Sequence, residues 1–175
     1  MAKFSLFQDK RNRPRIRQRR SFWDWVIDVL TIDLLIAVNV YAILQFGSLP
    51  AIITTRIDSK GQAIDTGPAW TVLVMPALAV VSCLALWIVQ LFPWSANTLV
   101  TITEENALRQ YRLLNRLLSL LGLMIALTLC LVSYHIIQLA QGAPPINIDF
   151  ILIALPVTCS IMLSGWYITR SVQLA

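Results

Sequence analysis

Residues 69–92 read AWTVLVMPALAVVSCLALWIVQLF, a run without a single charged side chain. A helix needs about 20 predominantly apolar residues to cross the hydrocarbon core of a bilayer. The run therefore predicts a membrane-spanning helix. Pro68 suits the first turn of that helix, and Pro76 predicts a kink because it lacks a backbone N–H.

The composition extends this prediction to the rest of the chain. The 175 residues are 57% hydrophobic and only 13% charged, whereas soluble domains carry about 25% charged residues. The charges cluster in the N-terminal tail, around residues 56–65 and around residues 104–116. We therefore predict an all-α membrane protein with a basic cytoplasmic tail (1–20) and a four-helix transmembrane domain (21–175). The four predicted transmembrane helices are residues 22–46, 69–92, 113–139 and 148–168.

Two polar connectors join these helices. The first follows the first span and is predicted to be a polar outer loop. In the second, Thr101 and Glu104 have the spacing of a capping box, in which two side chains satisfy backbone N–H groups at a helix start. A charged stripe at helical spacing follows and predicts an amphipathic cytoplasmic lead-in that continues without a break into the third span. The stripe consists of Glu105, Arg109, Arg112 and Arg116.

The distribution of basic residues predicts the orientation. The chain has 14 Lys and Arg against 9 Asp and Glu, a net charge of +5. Eight cations lie in the tail and four more would share its side of the membrane, whereas Arg56 and Lys60 fall on the other side. Cytoplasmic loops carry an excess of Lys and Arg. We therefore predict a multi-pass protein of the cell inner (plasma) membrane with both termini in the cytoplasm.

The basic tail also predicts a partner. Because its charge adjoins a predicted span, we expect contact with the anionic headgroups of the lipid bilayer rather than with nucleic acid. The predicted headgroup contacts are Arg15, Arg17, Arg19 and Arg20.

Three polar side chains fall inside the predicted spans: Asp33, Asn39 and His135. An ionised carboxylate at mid-span costs roughly 2.5–3.5 kcal/mol on insertion scales. We therefore predict that Asp33 points into the bundle and meets a polar partner, with Asn39, Ser82 and Thr128 as candidates by depth. Asp33 would then be either a structural contact or a proton or ion relay.

Metal and disulfide chemistry are not predicted. The three cysteines lie singly in apolar runs, which is typical of packing residues and not of a disulfide framework or a zinc site. The single histidine has no second ligand at metal-binding spacing. The sequence therefore predicts neither a metal nor another cofactor.

Residues in both connectors carry a family resemblance. In the first they are Leu49-Pro50, Ile57-Asp58, Gly61, Asp65 and, in the next helix, Pro76. In the second they are Asn97 and residues 101–112. Together they resemble the DUF1648 domain family of small bacterial membrane proteins, whose relatives include the immunity protein against a sporulation-delay toxin. The chain has Arg56 where the family usually has His. The resemblance implies a bacterial inner-membrane protein with a role in immunity or sensing.

The residues themselves favour a non-enzymatic protein that binds a protein or peptide partner. The sequence shows no Ser/His/Asp set, metal cluster or Gly-rich phosphate loop. The candidate partner-binding residues are Arg56, Asp58, Lys60, Asp65, Glu105, Arg109 and Arg112. Two alternatives remain open: an accessory subunit of a larger membrane complex, and a small transporter that uses the polar residues inside the spans.

Overall fold

The computed structural model describes residues 13–16, 19–57, 62–98, 100–143 and 149–174, which form helices and one β-hairpin. The elements in chain order are α1 (Phe22–Phe46), β1 (Ile52–Ile57), β2 (Ala63–Pro68), a 3-10 turn (Ala69–Leu73), α2 (Val74–Leu91), a second 3-10 turn (Pro93–Ser95), α3 (Ala107–Ala140) and α4 (Asp149–Gln173).

Three helical segments are long and apolar enough to span a membrane: Phe22–Phe46, Ala69–Leu91 and Ala107–Ala140. The prediction of a mostly helical chain is therefore confirmed, and three of its helices have the length and apolar composition that a membrane span needs. The first of these segments has the bounds predicted from the sequence. The fourth predicted span coincides with α4 from Asp149 onward. Residue 148 lies outside the described residues, and the insertion of this span stays a prediction.

The long helix α3 lies at the centre and contacts the other three helices. α1 runs parallel to it. Near their starts Ser119 of α3 donates a hydrogen bond to Asp28 of α1, and near their ends Ala42 packs with Ile137. The molecule therefore has two ends. We call the one with the starts of α1 and α3 the polar end, and the other the hairpin end.

Helices α2 and α4 run in the opposite direction to α3. Gln90, close to the end of α2, accepts a hydrogen bond from Ser119. Ser171, close to the end of α4, exchanges two hydrogen bonds with Gln110 in the first turn of α3. Both helices therefore end at the polar end, as expected for consecutive membrane spans.

Small side chains fill the contact between the helices in the middle of the bundle. Leu35, Ala79, Cys83 and Ala126 form one buried cluster, and the Cys83 thiol lies 3.5 Å from the carbonyl oxygen of Gly122. Small residues let helix backbones approach closely, which is how membrane helices gain packing energy. All three cysteines are free, and two of them, Cys83 and Cys130, are buried.

The segment predicted as a polar outer loop contains a two-stranded antiparallel hairpin, so the all-α description is incomplete. The strands pair from Ile52 opposite Pro68 to Ile57 opposite Ala63. The first strand reads IITTRI, and its β-branched residues favour extended backbone.

One side chain fixes the hairpin to the helices. Ile53 is only 2% exposed and packs against Ala42, Val72 and Ile137. These residues come from the end of α1, the 3-10 turn before α2 and the end of α3. The hairpin therefore covers this end of the bundle and is not a detached loop.

The proline predicted to kink the second span lies close to the start of α2. The chain changes from 3-10 to α-helix between Leu73 and Val74, and Pro76 is the third residue of α2. The first N–H groups of an α-helix have no intrahelical partner. Pro76 therefore follows a change of helix type and does not interrupt an established α-helix.

The predicted lead-in is part of α3, which is continuous over 34 residues. At 1.5 Å per residue it is about 50 Å long, whereas the hydrocarbon core is about 30 Å thick. The first turns are amphipathic: Gln110, Tyr111 and Leu114 are buried, whereas Arg109 and Arg112 are exposed.

The capping box predicted at Thr101 and Glu104 is wrong. Thr103 and Asn106 form the reciprocal pair instead. The backbone N–H of Thr103 donates to Asn106 Oδ1 (2.9 Å), and the backbone N–H of Asn106 donates to Thr103 Oγ1 (3.4 Å). The Asn106 amide also donates to the Thr101 carbonyl oxygen (3.1 Å). Because this side chain holds the turn, α3 begins only at Ala107.

The end of the predicted tail is packed against the bundle. Arg13 is 5% exposed and donates to the carbonyl oxygens of Trp94 (3.4 Å) and Ala96 (2.5 Å). The Tyr111 hydroxyl donates to the Pro14 carbonyl oxygen (3.1 Å). Residues 13–16 therefore belong with the helices, although they fall inside the predicted tail.

Candidate functional site

Buried polar side chains from three helices, together with the half-buried Arg20 that precedes α1, meet at the polar end of the molecule. We call this group the polar cluster. Its members are Arg20, Asp24, Asp28, Gln90, Asn115 and Ser119. α1 supplies the acids, α2 supplies Gln90 from its last turn, and α3 supplies the amide and the hydroxyl.

Asp28 is the centre of the cluster. It is 4% exposed, and its carboxylate forms an ion pair with Arg20. The Ser119 hydroxyl donates to the other carboxylate oxygen (3.2 Å). A buried charge is tolerated only when it is paired and hydrogen-bonded, and Asp28 meets both conditions.

Gln90 links the arginine to the hydroxyl. Its Oε1 accepts from Arg20 (3.0 Å) and lies 3.3 Å from the Ser119 hydroxyl. A hydroxyl has one proton, so Ser119 can donate to Asp28 or to Gln90 at any moment but not fully to both. Its hydroxyl is therefore shared between the two acceptors.

Two amide atoms of the cluster have no partner within the described part of the chain. They are Gln90 Nε2 and Asn115 Oδ1, on side chains that are 5% and 9% exposed. The other end of the Asn115 amide donates to the Gln90 backbone carbonyl (3.3 Å). An unsatisfied buried donor or acceptor costs about 1–3 kcal/mol, so these atoms call for a partner.

Asp24 belongs to the start of α1. One carboxylate oxygen accepts from the Ser21 backbone N–H (2.9 Å), which is the capping-box geometry, and its charge suits the positive end of the helix dipole. The other oxygen lies 3.6 Å from Arg116 Nε. Asp24 and Asp28 share one face of α1, as their spacing predicts, but each meets a different arginine.

A cavity of about 640 Å³ opens beside the polar cluster. Its polar lining is Arg19, Arg20, Gln90 and Asn115, and its apolar lining is Ile16, Trp25, Leu91 and Pro93. Arg20 also lies over the Trp25 ring, 5.8 Å from its centroid. The lining contains two arginines and no acid, so the cavity suits an anion.

Two shallower recesses continue the basic surface around the same end. One is lined by Arg19, Arg20, Ser21, Asp24, Arg112 and Arg116. The other is lined by Arg109, Arg112, Leu113, Arg116, Trp166, Arg170 and Leu174. Residues from the tail, α3 and α4 that are distant in sequence therefore converge at one end of the bundle.

The predicted partner-binding residues do not form one site. Arg56 and Asp65 are exposed on facing strands and are register partners in the hairpin. Glu105, Arg109 and Arg112 are exposed at the polar end. Asp58 and Lys60 lie outside the described residues.

The predicted direction of Asp33 is wrong. Its side chain is exposed on the face of α1 that points away from the other helices, and it has no partner among the described residues. Five residues separate it from Asp28, which turns it about 140° around the helix at 3.6 residues per turn. Because Asp28 faces α3, Asp33 cannot.

The other two polar residues predicted inside the spans, Asn39 and His135, do not form a site with Asp33. Asn39 is half-buried and donates to the Leu35 carbonyl oxygen of its own helix (2.8 Å). His135 is half-buried in the last part of α3. None of the three cavities described above is lined by Asp33, Asn39 or His135.

The predicted headgroup arginines have different surroundings. Arg15 and Arg19 are exposed, Arg20 is half-buried in its ion pair with Asp28, and Arg17 lies outside the described residues. Of the arginines that precede α1, Arg20 therefore pairs with an acid of that helix.

Sequence reasoning missed Gln90, Asn115 and Ser119. A signal existed for the first, since Gln90 is the only amide in the uncharged run 69–92. The other two are ordinary polar residues in a sequence region dominated by arginines. Their partners lie 25 to 91 residues away, so no local pattern marks them.

Three comparisons with known proteins give no match. No protein-family model matches the chain, and no curated protein or solved structure matches it. The resemblance to the DUF1648 family therefore stays a prediction.

Proposed function

We propose that this chain is a non-enzymatic integral membrane protein that binds a protein partner inside the bilayer through one face of α1. The observation that carries the proposal is Asp33, an exposed carboxylate in the middle of an exposed apolar helix face. The chain itself offers no described partner for it.

The depth of Asp33 makes this position costly. It lies 11 residues after Phe22, about 17 Å along a helix that rises 1.5 Å per residue, and the hydrocarbon core is about 30 Å thick. The surrounding exposed side chains are apolar: Val29, Ile32, Ile36 and Val40 are 41–57% exposed. A carboxylate there costs roughly 2.5–3.5 kcal/mol if it faces lipid.

The side chains on this face of α1 indicate which kind of helix would bind there. A partner helix with a Lys, an Arg or another hydrogen-bond donor at the same depth would pair with Asp33 and cover the apolar residues around it. A second copy of this chain fits less well, because a two-fold interface on this face would bring two Asp33 carboxylates together. The proposal therefore commits to a helix of a different protein.

We further propose four spans, with α4 as the last, in a bacterial inner membrane with both termini in the cytoplasm. The convergence of arginines at the polar end supports this orientation, since positive charge marks cytoplasmic loops. The bacterial origin and an immunity or sensing role rest on the family resemblance. The exposed hairpin with Arg56 would then face the outside and offer a second contact surface.

Two alternative functions differ in what they require, either a permanently bound partner or a polar pathway through the bundle. An accessory subunit would hold the same partner permanently through the same face. A small transporter would need its intramembrane polar residues to line one pathway, and the outward position of Asp33 gives that reading no support.

Site-specific photocrosslinking in native membranes tests the partner. A photoreactive residue at Ile36, one turn from Asp33 and 57% exposed, should crosslink to one protein. The matched control is Val81 of α2, which is 63% exposed and should yield no such product. Asp33→Leu should abolish the Ile36 product, whereas Asp33→Asn, which keeps hydrogen bonding, should retain part of it.

The proposal fails if Ile36 and Val81 give the same products, or if Asp33→Leu leaves the Ile36 product unchanged. A crosslink to a second copy of the chain would also reject the proposed partner. Survival of the complex through mild-detergent purification would identify a permanent subunit.

Cysteine labelling tests the orientation. Thr66 on the hairpin and Glu105 before α3 are both exposed. In intact cells a membrane-impermeant maleimide should modify Thr66→Cys and spare Glu105→Cys. Labelling of Glu105→Cys before the cells are opened would reverse the proposed orientation.

A further inference from the structure

We propose that the cavity beside the polar cluster binds one anionic phospholipid whose headgroup also carries a hydroxyl group. Phosphatidylglycerol is a lipid of this chemistry and serves as the probe. This inference needs only that the chain is in a membrane, and it is independent of the partner proposed for α1.

The position of the cavity matches a lipid headgroup. Trp25 lies in the first turn of α1 and Leu91 is the last residue of α2, so the cavity sits where two spans end. Both side chains are exposed, 58% for Trp25 and 59% for Leu91. Tryptophan at this level is typical of the boundary between hydrocarbon and headgroups. Acyl chains of a bound lipid can therefore follow the apolar surface while its phosphate enters the cavity.

The charge of the cavity matches a single phosphodiester. Of the two arginines that line it, Arg20 is already paired with Asp28. Arg19 is exposed and has no ion pair within the described part of the chain. One uncompensated positive charge therefore remains for a phosphodiester, which carries one negative charge. Arginine binds phosphate oxygens in a planar, two-pronged geometry that lysine does not provide.

Two of the residues that line the cavity, Gln90 and Asn115, each carry an amide atom without a described partner, which an ordinary basic surface would not provide. Gln90 is only 5% exposed, and its Nε2 is a hydrogen-bond donor without a described partner. Asn115 Oδ1 is a hydrogen-bond acceptor that likewise has no described partner. Both atoms are closed to water in this structure, so a headgroup reaches them once the two amide side chains turn toward the cavity. A phosphate oxygen would then accept from Gln90 Nε2, and a headgroup hydroxyl would donate to Asn115 Oδ1. A glycerol headgroup supplies both partners, whereas a choline headgroup has no hydroxyl.

The Arg20–Asp28 pair has a role in this arrangement. Because Asp28 and the Gln90 oxygen both hold the Arg20 side chain, its guanidinium is positioned before a ligand arrives. A preorganised donor loses less conformational entropy on binding.

Lipid retention measured by native mass spectrometry tests the proposal. The full chain, purified in mild detergent and delipidated, would be titrated with phosphatidylglycerol, phosphatidylcholine or inorganic phosphate. We expect saturable binding of one phosphatidylglycerol per chain, and no comparable binding of phosphatidylcholine. Inorganic phosphate should not compete, because it lacks the acyl chains and the glycerol headgroup.

Two arginine variants separate this site from general attraction to a basic surface. Arg19→Gln removes the uncompensated charge of the cavity and should weaken phosphatidylglycerol binding about tenfold, the effect of losing a charge-assisted hydrogen bond. Arg109→Gln removes the same charge at the same end of the molecule, outside the cavity, and should leave the affinity unchanged. Both residues are exposed, so neither substitution threatens the fold.

A further variant tests the amide. Gln90→Met keeps the length of the side chain but removes both its donor and the oxygen that holds Arg20, and should also weaken phosphatidylglycerol binding severalfold. Far-UV circular dichroism would verify that this variant is folded. Equal binding by the Arg19 and Arg109 variants would overturn the proposal, as would competition by inorganic phosphate. The absence of any saturable lipid binding to the wild-type chain would show that water fills the cavity, and would overturn it as well.

Discussion

Two carboxylates on α1 lie five residues apart and have opposite surroundings. Asp28 is buried at the polar end, paired with Arg20 and hydrogen-bonded by Ser119. Asp33 is exposed in the middle of the same helix among apolar side chains. Direction around the helix separates them, since both lie within a segment apolar enough to span a membrane. The inner acid belongs to a cluster that joins three helices, whereas the outer acid has no partner among the described residues.

Removal of the inner acid should have the largest effect on stability. Asp28→Ala would leave Arg20 without its counter-ion, with only the Gln90 oxygen as an acceptor for Arg20 and Ser119. The loss of one partner of a buried pair costs about 3–5 kcal/mol. The change would be measured as the free energy of unfolding in mixed micelles with increasing dodecyl sulfate. Asp33→Ala is the matched control and should change this free energy by less than about 0.5 kcal/mol. Equal losses in the two variants would remove the distinction between the acids.

Removal of the outer acid should instead change membrane insertion. Asp33→Leu should lower the apparent free energy of inserting the segment 22–46 by about 3 kcal/mol, because a mid-span carboxylate is replaced by an apolar side chain. A glycosylation assay of the segment in microsomal membranes measures this quantity. Asp28→Leu should give a smaller gain, since Asp28 lies closer to the end of the helix. A larger gain for Asp28 would place the membrane centre elsewhere on α1.

Loss of the hydroxyl beside the inner acid should have a smaller effect. Ser119→Ala removes the donor shared by Asp28 and Gln90 and should destabilise the chain by about 1–2 kcal/mol. Ser164→Ala is the matched control, because Ser164 is exposed and bonds only the Ser160 carbonyl oxygen of its own helix. The same unfolding titration compares them. An unchanged free energy in Ser119→Ala would mean that Arg20 alone satisfies Asp28.

Asp65 is a third acid and should show the smallest effect. It is exposed and faces Arg56 across the hairpin, and opposite charges on facing strands contribute about 0.2–1 kcal/mol. A double-mutant cycle with Arg56→Gln and Asp65→Asn measures the coupling. A coupling above about 2 kcal/mol would show that this pair is more shielded from water than its exposure indicates.

The sequence predicts the membrane helices well because their signal is local. The bounds of α1 follow from the length of one apolar run, and the shared face of Asp24 and Asp28 follows from helical spacing. The first strand also carried a local signal in its β-branched residues, but Gly67 and Pro68 in the second strand weakened it. A structural feature that depends only on residues close together in the sequence is therefore predicted correctly, or carries a local signal that a better prediction could use.

The polar cluster could not be predicted because it depends on which helix lies beside which face. Apolar residues cover most of α1, so the amphipathic pattern that orients a soluble helix is absent. The rule that intramembrane acids face the interior holds for Asp28 and fails for Asp33. The predicted start of α3 is wrong for a more local reason, since Asn106 and not Glu104 holds the turn before the helix.

The distance in sequence between Asp28 and its partners has a consequence for biosynthesis. Ser119 follows Asp28 by 91 residues. At roughly 5–20 residues per second, the ribosome reaches Ser119 about 5–18 s after Asp28 has been made. Arg20, in contrast, precedes Asp28 by eight residues and emerges first. Arg20 can therefore neutralise the Asp28 carboxylate throughout this interval, before Ser119 of the third helix is available to it.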